Sequence, residues 1–167
     1  MIFLRKIETE RLILRKITDK DITALTDIFK SYDVVENLHT IKYPFTFKDG
    51  KELLKLMKKD ICFGVALKEQ KNLIGAIWIH KLNKEQSEIG YVLNKDFWGQ
   101  GLIKEALSKV IKKKIKTKTL IATTALANER SQQVLKDLGF ESLGVFERDY
   151  EAIKDKSRFI SKWEKRL

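Results

Sequence analysis

Apolar side chains recur along the chain in two periods. Arg11-Leu-Ile-Leu-Arg15 reads as a short strand, and Ile22, Leu25, Ile28 and Phe29 then follow at the spacing of one helix face. Thr18 and Asp21 precede that run at capping-box spacing, where hydroxyl and carboxylate each accept from a free amide at a helix start. Thr46 and Asp49 repeat the box ahead of Leu53, Leu54, Leu56 and Met57, which predicts a second helix ending near Lys59, with Pro44 in the connection. The period then shortens. Residues 61–67, 73–80 and 87–93 are β-branched and aromatic runs separated by polar segments at 68–72 and 83–86, the pattern of an antiparallel meander.

Beyond Asn94 a loop over 95–100 leads through Gly99-Gln100-Gly101 into a helix with Ile103, Ala106, Leu107, Val110 and Ile111 on one face. Residues 120–126 predict the next strand. Asn128 is a good N-cap for a helix carrying Val134, Leu135 and Leu138, and Gly139 suits the left-handed position after it. Residues 144–148 and 156–163 supply two further strands, making a mixed α/β (α+β) chain. With eight glycines and one proline spread along 167 residues, and neither repeat nor low-complexity stretch, residues 1–167 are expected to form a single domain.

Charge narrows the partners. Thirty-four Lys and Arg against 23 Asp and Glu leave a net +11, which favours anionic partners: nucleic acid, a membrane surface or a phosphorylated cofactor. The basic run Lys109, Lys112, Lys113, Lys114, Lys116 and Lys118 reads as a solvated helix end, because no aromatics interleave it, and nucleic acid is not the expected partner. No apolar run approaches the roughly 20 residues of a spanning helix, so no membrane association is expected. A single cysteine, Cys62, excludes an internal disulfide framework and suits a reducing compartment, so the expected location is cytoplasmic. His80 and His39 lack partners at ligand spacing, and no metal site is expected.

Two stretches carry chemistry. Trp98-Gly-Gln-Gly-Leu102 opens a helix, where free N–H groups and the positive dipole end suit a pyrophosphate and glycine lets the backbone come close. A plain turn explains two glycines equally well, since neither a third dinucleotide-fold glycine nor a Walker lysine follows. In Asn128-Glu-Arg-Ser131, the serine lies three, four and seven residues before Val134, Leu135 and Leu138. That places a hydroxyl on an apolar helix face, either as a functional group or as a local backbone partner.

Taken together these segments resemble the GNAT acetyltransferase superfamily, in its ribosomal-protein alanine N-acetyltransferase-like branch. The resemblance runs through Glu10-Arg-Leu-Ile-Leu-Arg15, Leu73-Ile-Gly-Ala76, Glu88-Ile-Gly-Tyr91, Trp98-Gly-Gln-Gly101 with Glu105-Ala106, Asn128-x-x-Ser131 and Leu138-Gly-Phe140. It implies a mostly antiparallel central sheet of about six to seven strands flanked by about four helices, with a V-shaped opening between the strand ending at Leu93 and the strand at Leu120. It also implies acetyl-CoA as acetyl donor, with Trp98, Gly99, Gln100, Gly101, Leu102 and Ile103 on its pyrophosphate, Val92 and Leu93 beside its pantetheine, and Asn128 and Ser131 holding the arm and its sulfur. Two departures stand out: the phosphate motif has Asp96 where Gln or Arg is usual, and residues 153–157 lack the branch's Asn-Gly turn.

The implied reaction is acetyl transfer to a primary amine, either a protein N-terminus such as that of a ribosomal protein or a small amine such as an antibiotic or polyamine. A non-catalytic basic module binding nucleic acid or the ribosome is the reading from another class. Acetyl transfer requires a base for the amine, donors for the carbonyl oxygen and a proton for the thiolate. Glu88 lies on the strand face opposite Ile89, Tyr91 and Leu93 and is the first candidate base, or else a surface glutamate; Asp149 is the second. Backbone amides near Val92 and Leu93 suit the oxygen and Ser131 the sulfur. Tyr91 reads as groove or core, and Cys62, between Ile61 and Phe63, as a buried strand residue. A monomer or homodimer is expected.

Overall fold

The computed structural model describes residues 6–38, 40–149 and 157–167. In chain order these form β1 (Ile7–Glu8), β2 (Leu12–Arg15), α1 (Ile22–Lys30), α2 (Tyr32–Val35), α3 (Phe47–Met57), β3 (Ile61–Leu67), β4 (Leu73–Lys81), β5 (Gln86–Leu93), α4 (Leu102–Lys114), β6 (Thr119–Ala125), α5 (Glu129–Asp137), β7 (Glu141–Asp149) and β8 (Ser157–Arg166). The strands make one sheet in the order β1-β2-β3-β4-β5-β6-β8-β7. Every neighbouring pair is antiparallel except β5 and β6, whose parallel pairing requires the crossover that α4 supplies.

The expected meander is present. Among the described residues the sheet has eight strands where about six to seven were expected, and there are five α-helices where about four were expected. The additions are β1, two residues paired with Ile13 and Leu14, and α2, a single turn; both are too short for any period to register. β7 begins at Glu141, three residues earlier than expected, because its pairing with β8 continues past an irregularity between Ser142 and Gly144. Both capping boxes form. Thr46 Oγ1 accepts from the Asp49 amide and starts α3, whereas the Thr18–Asp21 box opens a 3-10 turn that runs into α1.

Helices cover both faces. α4 and α5 bring Leu102, Ala106, Leu107, Val110 and Leu135 onto Ile77, Ile89, Leu93, Leu120 and Trp163. On the other face α1, α2 and α3 pack Leu25, Phe29, Val35, Leu54 and Met57 onto Cys62, Ala76 and Val92. Strand alternation therefore sends Ile89, Tyr91 and Leu93 toward α4 and α5, and Glu88, Gly90 and Val92 toward the opposite face. Gly90 is required there: a Cβ at this position would lie inside the Trp78 indole, which crosses the strand.

Candidate active site

Parallel pairing of β5 with β6 covers only Gln86↔Thr119, Ser87↔Leu120 and Glu88↔Ile121, although β5 continues to Leu93 and β6 to Ala125. Beyond Glu88 the strands part and a cleft opens between them. The N-termini of α4 and α5 stand at its two sides, because each helix follows one of the diverging strands.

On the first side, Trp98 Nε1 donates to the Leu93 carbonyl (2.9 Å), folding the loop back on the end of β5. Gly99 and Gly101 adopt left-handed φ of 75° and 72°, a conformation in which an L side chain is strained. Gly101 is the N-cap of α4 and brings no side-chain oxygen to the first-turn amides. Those amides, which have no intrahelical acceptor, are the donors offered to a ligand. From behind, Arg11 Nη1 donates to the Gln100 carbonyl (2.9 Å), and its Nε (2.7 Å) and backbone N–H (2.9 Å) donate to the two carboxylate oxygens of Glu105. Burial alone would raise the Glu105 carboxyl, but hydrogen bonds from Arg11 and Thr9 outweigh it and hold the group below its ordinary value.

On the second side, Asn128 Oδ1 accepts from the Ser131 amide (3.1 Å) and caps α5. The Ser131 hydroxyl lies 2.7 Å from the Tyr91 hydroxyl, which also donates to the Ser131 carbonyl (3.3 Å), so the pair ties α5 to β5 across the cleft. Burial pushes the Tyr91 phenol up to about 12, with the Ser131 hydrogen bond opposing the shift. Tyr91 therefore stays protonated at neutral pH and can donate. The Arg130 guanidinium lies 5.2 Å from the Trp98 ring centroid, a second contact between the two sides.

A cavity of about 450 Å³ occupies this space. It brings together Val92, Leu93, Trp98, Gly99, Gly101, Leu102, Ile103, Asn128 and Ser131 of the residues singled out in the sequence. Gln100 does not line it, its carbonyl being turned to Arg11. Glu88 lies outside it as well, on the other face of β5, where Thr123 Oγ1 donates to its Oε1 (3.2 Å). Asp149 is exposed at the end of β7 and does not line the cavity, and His80 pairs with Asp60 (Nδ1 to Oδ1, 3.0 Å). Burial pushes the Cys62 thiol up to about 12, which removes it as a nucleophile. His39, Tyr150 and most of the 153–157 stretch lie outside the described residues.

The sequence placed Tyr91 in the groove or core and Arg11 in a motif, but not three contacts at the site: Tyr91 hydroxyl to Ser131, Thr123 to Glu88, and Arg11 to Gln100. Tyr91 sits on an apolar strand face, and only the arrival of α5, forty residues later, gives its hydroxyl a partner. The signal for Arg11 was present as a motif but carried no indication of what the guanidinium touches.

Residues 11–141 match the family described as the acetyltransferase (GNAT) domain. The chain belongs to this family of acetyltransferases. It is 32% identical over 149 residues to the uncharacterized N-acetyltransferase YoaA of Bacillus subtilis (strain 168), covering 83% of this chain and 84% of that protein. Among solved structures, a GNAT-family acetyltransferase from Bacillus anthracis superposes with a TM-score of 0.84 at 25% identity, covering 97% of this acetyltransferase and 98% of that chain. A ribosomal-protein-S5-alanine acetyltransferase from Vibrio fischeri superposes with a TM-score of 0.79 at 19% identity, covering 97% and 96%, and shares the fold. No helix among the described residues is long and apolar enough to cross a membrane.

Proposed function

We propose that this enzyme transfers an acetyl group from acetyl-CoA to a primary amine, and that the amine is the N-terminus of a protein. The observation that carries the donor is the convergence of two helix N-termini on one cleft, one of them preceded by two left-handed glycines. Free amides at the start of α4 suit the pyrophosphate, and the net charge of +11 favours an anionic ligand. Leu93, Leu102, Ile103 and Val134 give the cavity an apolar wall for the pantetheine arm, and 450 Å³ lies within the range of small-molecule sites. The protein-terminus acceptor is supported by the fold shared along nearly the whole chain with an acetyltransferase named for ribosomal protein S5 alanine.

In this reading the donor supplies an activated thioester carbonyl, and the chain's own groups do the rest. Gly99, Gly101, Leu102 and Ile103 bind phosphate oxygens through backbone amides, and Asn128 holds the arm. The Leu93 amide, on the edge of β5 that β6 leaves uncovered, donates to the carbonyl oxygen as charge develops there, while the Val92 amide faces β4 in the sheet. Glu88, oriented by Thr123, accepts the proton of the attacking amine, directly or through water. Ser131 and Tyr91 stabilise the departing sulfur by hydrogen bonding. Burial keeps the Tyr91 proton on its phenol, so the pair hydrogen-bonds the sulfur without giving up a proton; the sulfur leaves as thiolate and takes its proton from solvent, while the amine's proton goes to Glu88.

The test is CoA release measured over peptides beginning with Ala, Ser or Met, the same peptides with blocked N-termini, and polyamine and aminoglycoside amines. Turnover confined to free N-termini is the expected result. Turnover with the small amines alone overturns the acceptor class, and absence of CoA binding overturns the donor.

A further inference from the structure

Arg11 lies on the turn between β1 and β2, far from the cavity in sequence and absent from its lining. Yet its side chain reaches the loop that opens α4 with two of its nitrogens. Nη1 holds the Gln100 carbonyl at 2.9 Å, and Nε holds Glu105 Oε2 at 2.7 Å, while the Arg11 amide takes Glu105 Oε1 at 2.9 Å. Carbonyl and adjoining N–H point to opposite edges of a planar trans peptide. A Gln100 carbonyl fixed toward Arg11 therefore turns the N–H of Gly101 the other way, and Gly101 lines the cavity although Gln100 does not. Glycines carry more backbone freedom than other residues, so a loop with two of them gains from an outside anchor.

Glu105 completes the device. A carboxylate in the first turn of α4 favours the helix dipole but would oppose an anion arriving at the same turn. Its two oxygens accept from the Arg11 Nε and from the Arg11 backbone N–H, so it anchors the residue at side chain and main chain and its charge is paired with the guanidinium.

From this geometry we infer that Arg11 is a positioning residue that sets the peptide plane before Gly101 and so aims the loop's amides at the donor's phosphates. The inference rests on the reading that these amides bind pyrophosphate. Lysine is a poor substitute because one ammonium cannot hold the Gln100 carbonyl and the Glu105 carboxylate in a fixed fork.

The experiment compares binding of CoA with binding of pantetheine, which keeps the thiol arm and lacks every phosphate. Dissociation constants are measured by calorimetry and ligand-observed NMR for wild type, Arg11→Ala and Arg11→Lys, with thermal unfolding recorded for each. Arg11→Ala should lower the CoA-over-pantetheine preference about tenfold, and Arg11→Lys should fall between the two. An unchanged preference overturns the inference, whether both ligands bind as in wild type or both weaken together as a loosened fold would make them. If Arg11→Ala does not fold, Arg11→Lys decides by the same ratio. A wild-type protein with no preference for CoA overturns instead the phosphate-loop reading beneath it.

Discussion

Replacing Gly101 with alanine isolates a backbone effect. At φ of 72° an alanine sits in the left-handed region, which costs about 1–2 kcal/mol, more than alanine gains by stiffening the unfolded chain. Space does not contribute: the nearest atom to a Cβ there is Arg11 Nη2 at 3.7 Å, an ordinary contact. The strain can emerge in only two places. If the loop keeps its shape without ligand, stability falls, and for a chain of this size 1–2 kcal/mol corresponds to a Tm lowered by about 2–8 °C. If the free loop relaxes, donor binding must restore the strained shape, and affinity falls by about 5–30-fold. Calorimetric titration of CoA and thermal unfolding of the same preparation should therefore give two losses that sum to about 1–2 kcal/mol. Gly101→Asn, whose side chain tolerates the left-handed region, should recover part of whichever loss is seen. A Gly101→Ala protein that matches wild type in both measurements would refute the claim that this φ is required.

Other expectations follow from the cleft and the capping boxes. Ser131→Ala should lower kcat by about 10–150-fold and leave KM for acetyl-CoA nearly unchanged, as expected for a hydrogen bond to developing charge; equal losses in both return Ser131 to a local cap. Combined with Tyr91→Phe the loss should be less than additive, because the two hydroxyls are 2.7 Å apart, and full additivity would show that they act separately. Glu88→Gln should lower kcat at neutral pH, with the deficit shrinking as pH rises and free amine accumulates; a normal profile beside an inactive, folded Asp149→Asn would move the base to Asp149. Hydrogen bonds from Lys42 and then Thr46 hold the Asp49 carboxyl down at about 2, so its contribution is present above the unfolded value near 4 and is lost as pH falls through about 2. Thermal unfolding between pH 4 and 2 should accordingly be flatter for Asp49→Asn than for wild type.

What the sequence disclosed depended on the reach of each signal. Glu88 could be assigned a strand face from period-two alternation alone, and Gly101 and Asn128 could be set at helix starts from local chemistry; the structure agrees with all three. The length of the β5–β6 pairing was not legible, because Ile89 and Leu93 carry the same apolar signal whether or not a neighbour strand continues beside them. Gln100 illustrates a further limit: its place in a glycine turn suggested a ligand contact, but the direction of its carbonyl is set by Arg11, 89 residues away. Contacts of that range leave no periodic trace.

The sheet order has a consequence for synthesis. β8 follows β7 in the chain, yet it lies between β6 and β7, pairing with Thr119–Ala125 on one side and with Glu141–Asp149 on the other. Until residues 157–166 have left the ribosome, β7 has no partner and β6 presents an open, apolar edge, the kind of surface on which nascent chains pair wrongly. Trp163 and Ile160, both buried, arrive with that strand. Deleting residues 157–166 would thus take out an interior piece of the sheet, and chaperone dependence and in-cell turnover should respond to changes in this strand.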